Sequence, residues 1–211
     1  ASNITIKNLN FINEVVSSGN PIIQVQGDSD VTISDCKFTN IATGKNGMVK
    51  FLGNAVGLIE NCTFANSSST GGSNSYILAM GNAVLTVSKT QFINLTANGY
   101  LRAIAYVNAE TATLNLNEVL FDSISGDMYG VVENKGKVNL NNVVFSNSKL
   151  SGSYSNSLIT SSETNAAKSS STTVNHTLFM NNSVVADISC KGCPVTVEYS
   201  SFLDNNKAIM N

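Results

Sequence analysis

Aliphatic and polar residues alternate with a period of two in short segments that recur along the whole chain. Ile4-Thr5-Ile6, Val31-Thr32-Ile33, Leu85-Thr86-Val87, Leu114-Asn115-Leu116, Val138-Asn139-Leu140 and Val195-Thr196-Val197 share the pattern, and Gly57-Leu58-Ile59 and Thr172-Thr173-Val174 fill the same place. Such alternation predicts strands with one buried and one wetted face. Five residues after each segment stands a phenylalanine. Phe11, Phe38, Phe64, Phe92, Phe121, Phe145, Phe179 and Phe202 are separated by 27, 26, 28, 29, 24, 34 and 23 residues. Two positions before the Phe lie Leu9, Cys36, Cys62, Thr90, Val119, Val143, Thr177 and Ser200, small or apolar side chains suited to a second inward position. Two positions after it lie Asn13, Asn40, Asn66, Asn94, Ser123, Asn147, Asn181 and Asp204. A column so rich in Asn is expected to form a ladder of amides, each bonded to its neighbours about 4.8 Å above and below.

A second apolar stretch separates successive Phe segments, at residues 23–25, 49–52, 77–80, 104–107, 131–132, 158–159 and 186–188. Gly27, Gly53 and Gly81 each stand eleven residues before the next Phe, and Asn134 holds the same place, as expected of a turn that needs a left-handed residue. A repeat of this length cannot bury its apolar face alone, so neighbouring copies must stack. The arrangement that satisfies ladders of Phe, Ile/Val and Asn together is an all-β, single-stranded, right-handed parallel β-helix. Its handedness follows from the crossover rule. About eight coils at about 4.8 Å each make a rod about 38 Å long, a single domain over residues 1–211. A leucine-rich repeat is the rival, but its Leu spacing and helix are missing. Length variation belongs in turns, so residues 66–74 and 161–171, rich in Ser, Thr and Asn, are expected to be exposed loops and the first places to seek binding.

Composition narrows the possibilities. Charged residues are 12% of the chain, the net charge is −2, and Arg102 is the one Arg, so nucleic acid is not an expected partner. Asn or Ser interrupts every hydrophobic stretch, so no segment is expected to insert in a membrane. The chain opens on a strand-like segment at Ala1 rather than on Met or a signal peptide, which suggests a mature protein or fragment. Its last residues begin an inward strand without completing a coil. Either further chain follows or protomers stack head to tail.

Asp35-Cys36-Lys37-Phe38-Thr39-Asn40, Asn61-Cys62-Thr63-Phe64-Ala65-Asn66 and Phe179-Met180-Asn181-Asn182 each lead from a strand into Phe followed by Asn. This motif resembles the adhesin-like and polymorphic outer-membrane-protein-type repeats of the pectin-lyase-like right-handed β-helices, over nearly the full length. The resemblance implies an extracellular or cell-surface location. It leaves the role open among surface adhesins, secreted coat proteins and polysaccharide-active enzymes.

Cys36 and Cys62 occupy one inward column in adjacent coils, and Cys190 and Cys193 form a C-x-x-C beside Pro194. Four cysteines paired in this way suit disulfides in an oxidising compartment. The alternatives are stacked core thiols for the first pair and a redox or zinc motif for the second. Asn-x-Ser/Thr sequons stand at Asn3, Asn61, Asn66, Asn94, Asn175 and Asn181, each a possible glycan site in a secreted chain. Asn175 and Asn61 are the preferred acceptors, since Asn66, Asn94 and Asn181 sit in the expected amide ladder.

Catalytic chemistry is not apparent. The seven Asp and seven Glu are spread thinly, with Asp28 and Asp30 the one close pair, in a turn. His176 has Asn142 and Tyr199 as column neighbours, and Arg102 reads as a surface charge. No metal, cofactor or catalytic residue is assigned. The expected function is a non-catalytic extracellular structural or adhesive module, able to self-associate end to end or to meet glycans or other cell-surface ligands. The alternative is carbohydrate binding or cleavage along the sheet face, which calls for aromatics gathered in one column. The six Tyr (Tyr76, Tyr100, Tyr106, Tyr129, Tyr154, Tyr199) read as dispersed, and Trp is absent. A third possibility is recognition of ice or a crystal lattice by the Thr5, Thr32, Thr86, Thr173, Thr196 column.

Overall fold

A computed structural model describes residues 2–16, 20–44, 47–69, 75–152, 156–162 and 170–210. Its strands pair in parallel throughout, and each strand meets its counterpart one repeat away, so the chain is a parallel β-solenoid. The alternating segments form one eight-stranded sheet: Asn3–Lys7, Asp30–Ser34, Val56–Glu60, Val84–Ser88, Thr113–Asn117, Lys137–Asn141, Ser171–Asn175 and Val195–Glu198. Those eight strands bound seven complete turns. The chain then runs on through Ser201–Leu203 and Ile209–Met210, close to the eight coils expected.

Three-residue strands centred on Phe make the second stack, for example Lys37–Thr39, Leu120–Asp122 and Leu178–Met180. Its rings lie face over face with centroids 4.5 to 5.2 Å apart and planes within 12° from Phe11 to Phe202. In-register parallel strands repeat every ~4.8 Å, so identical side chains must stack at that spacing. Aromatic contact adds about 0.5–1.5 kcal/mol per pair beyond the area buried. The second apolar stretches form a third stack through Ile23–Val25, Val49–Phe51, Ile77–Ala79, Ser157–Ser162 and Ala186–Lys191. A fourth, shorter run, not foreseen from sequence, joins Val15–Val16, Ala42–Thr43 and Lys149–Leu150 through the long strands Gln91–Val107 and Ser125–Asn134.

The core is the narrow interior between these stacks. Gly57 shows how tightly it is filled. Where neighbouring coils put Val31 and Leu85 inward, Gly57 leaves room for the Phe51 ring, 2.3 Å from where a Cβ would stand. Gly27, Gly53 and Gly81 have φ of +76°, +70° and +75°, as a left-handed turn requires. Asn134 does not. It ends Ser125–Asn134, fully buried, and its amide donates to the Ser171 carbonyl and the Thr172 hydroxyl and accepts the Gly136 N–H.

The expected loops also need correcting. Asn66 to Ser69 belong to the strand Thr63–Ser69, and Ser161 and Ser162 end Ser157–Ser162. Ser170 is buried and Ser171 opens the next strand. Residues 70–74 and 163–169, the remainder of the two segments, lie outside the described residues.

Candidate functional site

Each Phe strand is bracketed by two bends, and these set the outer surface. Three residues before the Phe, at Asn8, Asp35, Asn61, Lys89, Glu118, Asn142, His176 and Tyr199, φ lies between +46° and +58°. Two residues after it, at Asn13, Asn40, Asn66, Asn94, Ser123, Asn147, Asn181 and Asp204, φ lies between +52° and +58°. Asn and Asp tolerate this left-handed region, which explains the Asn-rich column after the Phe more directly than the amide ladder does. The column is exposed, yet parts of the ladder form: Asn94 donates to Asn66 Oδ1 and Asn181 to Asn147 Oδ1, both at 2.8 Å, while Asn147 donates to Asp122 Oδ1, one position outside the column, at 2.7 Å. Burial pushes the Asp122 carboxyl up, but bonds from Ser146, Asn147 and Ser123 outweigh it and hold the group below the usual range. Asp28, Asn54 and Asn82 form a further ladder after the turn glycines.

At several coils side chains from the following coil cap backbone groups at the two bends. At the first, Cys36 N–H points to Cys62 Sγ, Cys62 N–H to Thr90 Oγ1 and Thr177 N–H to Ser200 Oγ. Each capping group donates its own proton to the carbonyl two residues back, as Cys62 does to Glu60 and Thr90 to Ser88. At the second, Ile41 N–H is capped by Ser67 Oγ, Ile124 N–H by Ser148 Oγ and Asn182 N–H by Asn205 Oδ1. The small polar residues before and after the Phe therefore serve the bends, a role sequence spacing alone does not show.

This accounts for Cys36 and Cys62, and none of the four cysteines is in a disulfide, against the expectation. In-register neighbours keep their Cα–Cβ bonds parallel, so the Cβ atoms stay about 4.8 Å apart, beyond the ~3.5–4.5 Å that a disulfide accepts. Burial pushes the Cys62 thiol up to about 11, which favours its role as a hydrogen-bond donor. Cys193 is buried and its thiol lies 3.0 Å from the Ser161 hydroxyl, while burial raises the half-buried Cys190. Among the described residues no group of three or more His, Cys, Asp or Glu could hold a metal ion.

The sequons differ in their surroundings. Asn61, a preferred acceptor, donates its amide to Asp35 at 2.5 Å, and half-buried Asn175 donates to Asn141 at 3.4 Å. That bond from Asn61, with Lys7 nearby, holds the Asp35 carboxyl below its ordinary value. Asn66, Asn94 and Asn181 are exposed and engaged in ladder bonds: Asn94 and Asn181 donate their amides, whereas Asn66 accepts. Asn3 is exposed in the first strand.

Two surface features bear on ligands. A groove of about 350 Å³ follows the first bend, walled by Lys89, Glu118 and Asn142 on one side and Gln91, Leu120 and Val144 on the other. The same wall continues to His176, whose ring stacks on Tyr199 at 5.1 Å, and Tyr199 is 80% exposed. A bulky aromatic residue held left-handed and in solvent is a conformational outlier of the kind found at functional sites.

The second feature corrects the reading of Arg102. Its guanidinium lies 4.3 Å from the Tyr129 ring centroid and 5.1 Å from that of Tyr106, donates to the Tyr106 hydroxyl at 3.3 Å, and pairs with Glu133. Tyr106 donates in turn to Asn108 at 2.5 Å. Tyr106 and Tyr129 thus meet at one cation rather than being dispersed. Glu133 is almost fully buried, and burial pushes its carboxyl up to about 7 against the pull of Arg102 and Lys135. Asp28 stays in the turn, where it accepts the Asn54 amide, whereas Asp30 opens the strand Asp30–Ser34. An inward carboxylate, Asp187, was not singled out by sequence. It is fully buried, neither of its oxygens has a hydrogen-bond partner, and burial raises it to about 7.

Among the described residues no helix is long and apolar enough to cross a membrane. Comparison with known protein families and with curated sequences finds no family model and no curated relative that matches the chain.

Proposed function

We propose that the chain is a non-catalytic structural or adhesive rod of an extracellular or cell-surface protein, of the adhesin-like type its repeats resemble. The observation that carries this reading is the unbroken Phe stack over every coil, with bends closed by side chains of the next coil. Nearly all the distinctive residues are occupied in maintaining an extended, stiff form. Negative-stain electron microscopy and small-angle scattering of the protein from its native source, with localisation by antibody, test it. Rods at the cell surface or in secreted material support the reading; a compact particle confined to the cell interior overturns it.

Carbohydrate binding is the second reading, favoured by the exposed His176–Tyr199 pair at the end of the first-bend groove. Exposed rings stack on the apolar faces of sugars, while Lys89, Gln91, Glu118 and Asn142 offer donors and acceptors beside them. A glycan array with the parent and Tyr199→Ala separates the two: saturable binding lost in the variant supports recognition, and no binding by the parent removes it.

A further inference from the structure

We propose that the outer face of the eight-stranded sheet is an interface between two copies of this chain, packed sheet on sheet about a two-fold axis that runs along the strand Val84–Ser88. The outward column that opens each strand places the axis. Asp30, Val56, Val84, Thr113 and Lys137 follow one another in adjacent coils in unbroken register. Val84 is the middle of the five. A two-fold axis along its strand reverses the order of coils in the second copy and keeps each column over itself. Val84 then meets Val84, Val56 meets Thr113, and Asp30 meets Lys137 twice, once on each side of the axis. Sheets packed face to face keep their strand directions within about 30° of each other, as this axis requires.

Charge selects the register. Asp30 and Lys137 are both exposed, and among the described residues neither enters an ion pair within the chain. They stand four coils apart, about 19 Å, too far to pair with each other. A second copy brings the two signs together. In the outward column at the other end of the strands no like charges oppose: Glu60 meets Asn117 and Lys7 meets Asn175. Moving the axis by half a coil either way sets Lys137 against Val56 or Asn3 and loses both ion pairs.

Apolar surface and area agree with this arrangement. Val56 and Val84, at 47% and 37% exposed, put aliphatic surface at the centre, and the ion pairs fall outside it, as in an interface with an apolar core and a polar rim. A shallow hollow of about 290 Å³ beside them, lined in part by Asp30, Thr32, Leu58 and Thr86, receives Asn115, Asn139 and the carbon stem of Lys137 from the second copy. Leu58 against Asn115 is the one poor fit. The Asn115 amide already donates to Thr86 and accepts from Asn139 in its own chain, so losing water there does not leave it unpaired. Seven strands of five residues make a face about 16 Å by about 34 Å, so the pair buries about 1,100 Å², at the low end of what a specific interface needs. Association is therefore expected at micromolar rather than nanomolar concentrations.

The test is sedimentation velocity of the 211-residue chain from about 1 to about 300 µM, with Asp30→Lys, Lys137→Asp, the double exchange, and Val84→Lys. Thermal melts verify that each variant folds. The expected result for the parent is an equilibrium that stops at two copies, because an isologous contact closes on itself. Either single reversal should weaken it about tenfold, since each altered residue enters the interface twice, and the double exchange should restore it. Val84→Lys, which sets two ammonium groups together on the axis, should abolish it. A parent that stays monomeric at about 300 µM overturns the proposal. Dimers indifferent to the reversals, dimers that the double exchange fails to restore, and open-ended growth also overturn it. None of these outcomes touches the rod reading, which small-angle scattering of dilute protein tests separately.

Discussion

Replacing Asp187 by Asn should abolish a pH dependence of stability that is built into the seventh coil. Its carboxyl points inward in the column of Ile104, Val131 and Leu158, with neither oxygen hydrogen-bonded and its acidity shifted from 3.8 to about 7. The folded state therefore keeps a proton that the unfolded chain has already released. Between about pH 4 and 7 the native form binds more protons, so stability is greatest below pH 4, falls as pH rises and levels off above about 7. A shift of about 3 units at about 1.36 kcal/mol each sets a ceiling of about 4 kcal/mol. Relaxation and water penetration around a buried carboxylate reduce the expected effect to about 2 kcal/mol. Urea unfolding of parent and Asp187→Asn from pH 4 to pH 8.5 measures it. Glu133 contributes to the slope in both proteins, so the diagnostic quantity is the difference between them. That difference should grow by about 2 kcal/mol in favour of Asn across the window. Parallel profiles would refute the reasoning.

Three further outcomes follow from the geometry. Gly57→Ala should cost about 1–3 kcal/mol by overpacking against the Phe51 ring, and Phe51→Leu in the same molecule should recover part of the loss in a denaturant titration. Lys89→Asn should raise stability by about 0.5–1 kcal/mol in the same assay, since Lys89 is exposed at φ +48° and Asn tolerates that region better. Thiol titration in denaturant without reductant should count four free cysteines, with no change of mobility on reduction.

The regular core was the legible part of the sequence, because stacking forces the same side chain onto the same position in each coil. The Phe column and the alternating strand needed no more than spacing, and both are where the spacing put them. The first bend was hidden by its variety. Asn8, Asp35, Lys89, Glu118, His176 and Tyr199 have no common chemistry, and their shared left-handed backbone is imposed by the turn they occupy. Arg102 was misread for a related reason: it meets Glu133 and Tyr129 only across adjacent coils, 31 and 27 residues away along the chain. Cysteine spacing indicated proximity correctly but not direction, and parallel Cα–Cβ bonds make neighbours of Cys36 and Cys62 without making them a bridge.

The capping at the bends gives the solenoid a polarity. Where a bend amide is capped, as at Cys62, Ile124 and Asn182, the capping hydroxyl or carboxamide comes from the successor, so such a coil is incomplete until the next has been laid down. Growth from the amino-terminal side thus leaves one coil at a time with open bends. Arrest at such a coil exposes donors that the next coil would have closed, a front that moves as coils are added.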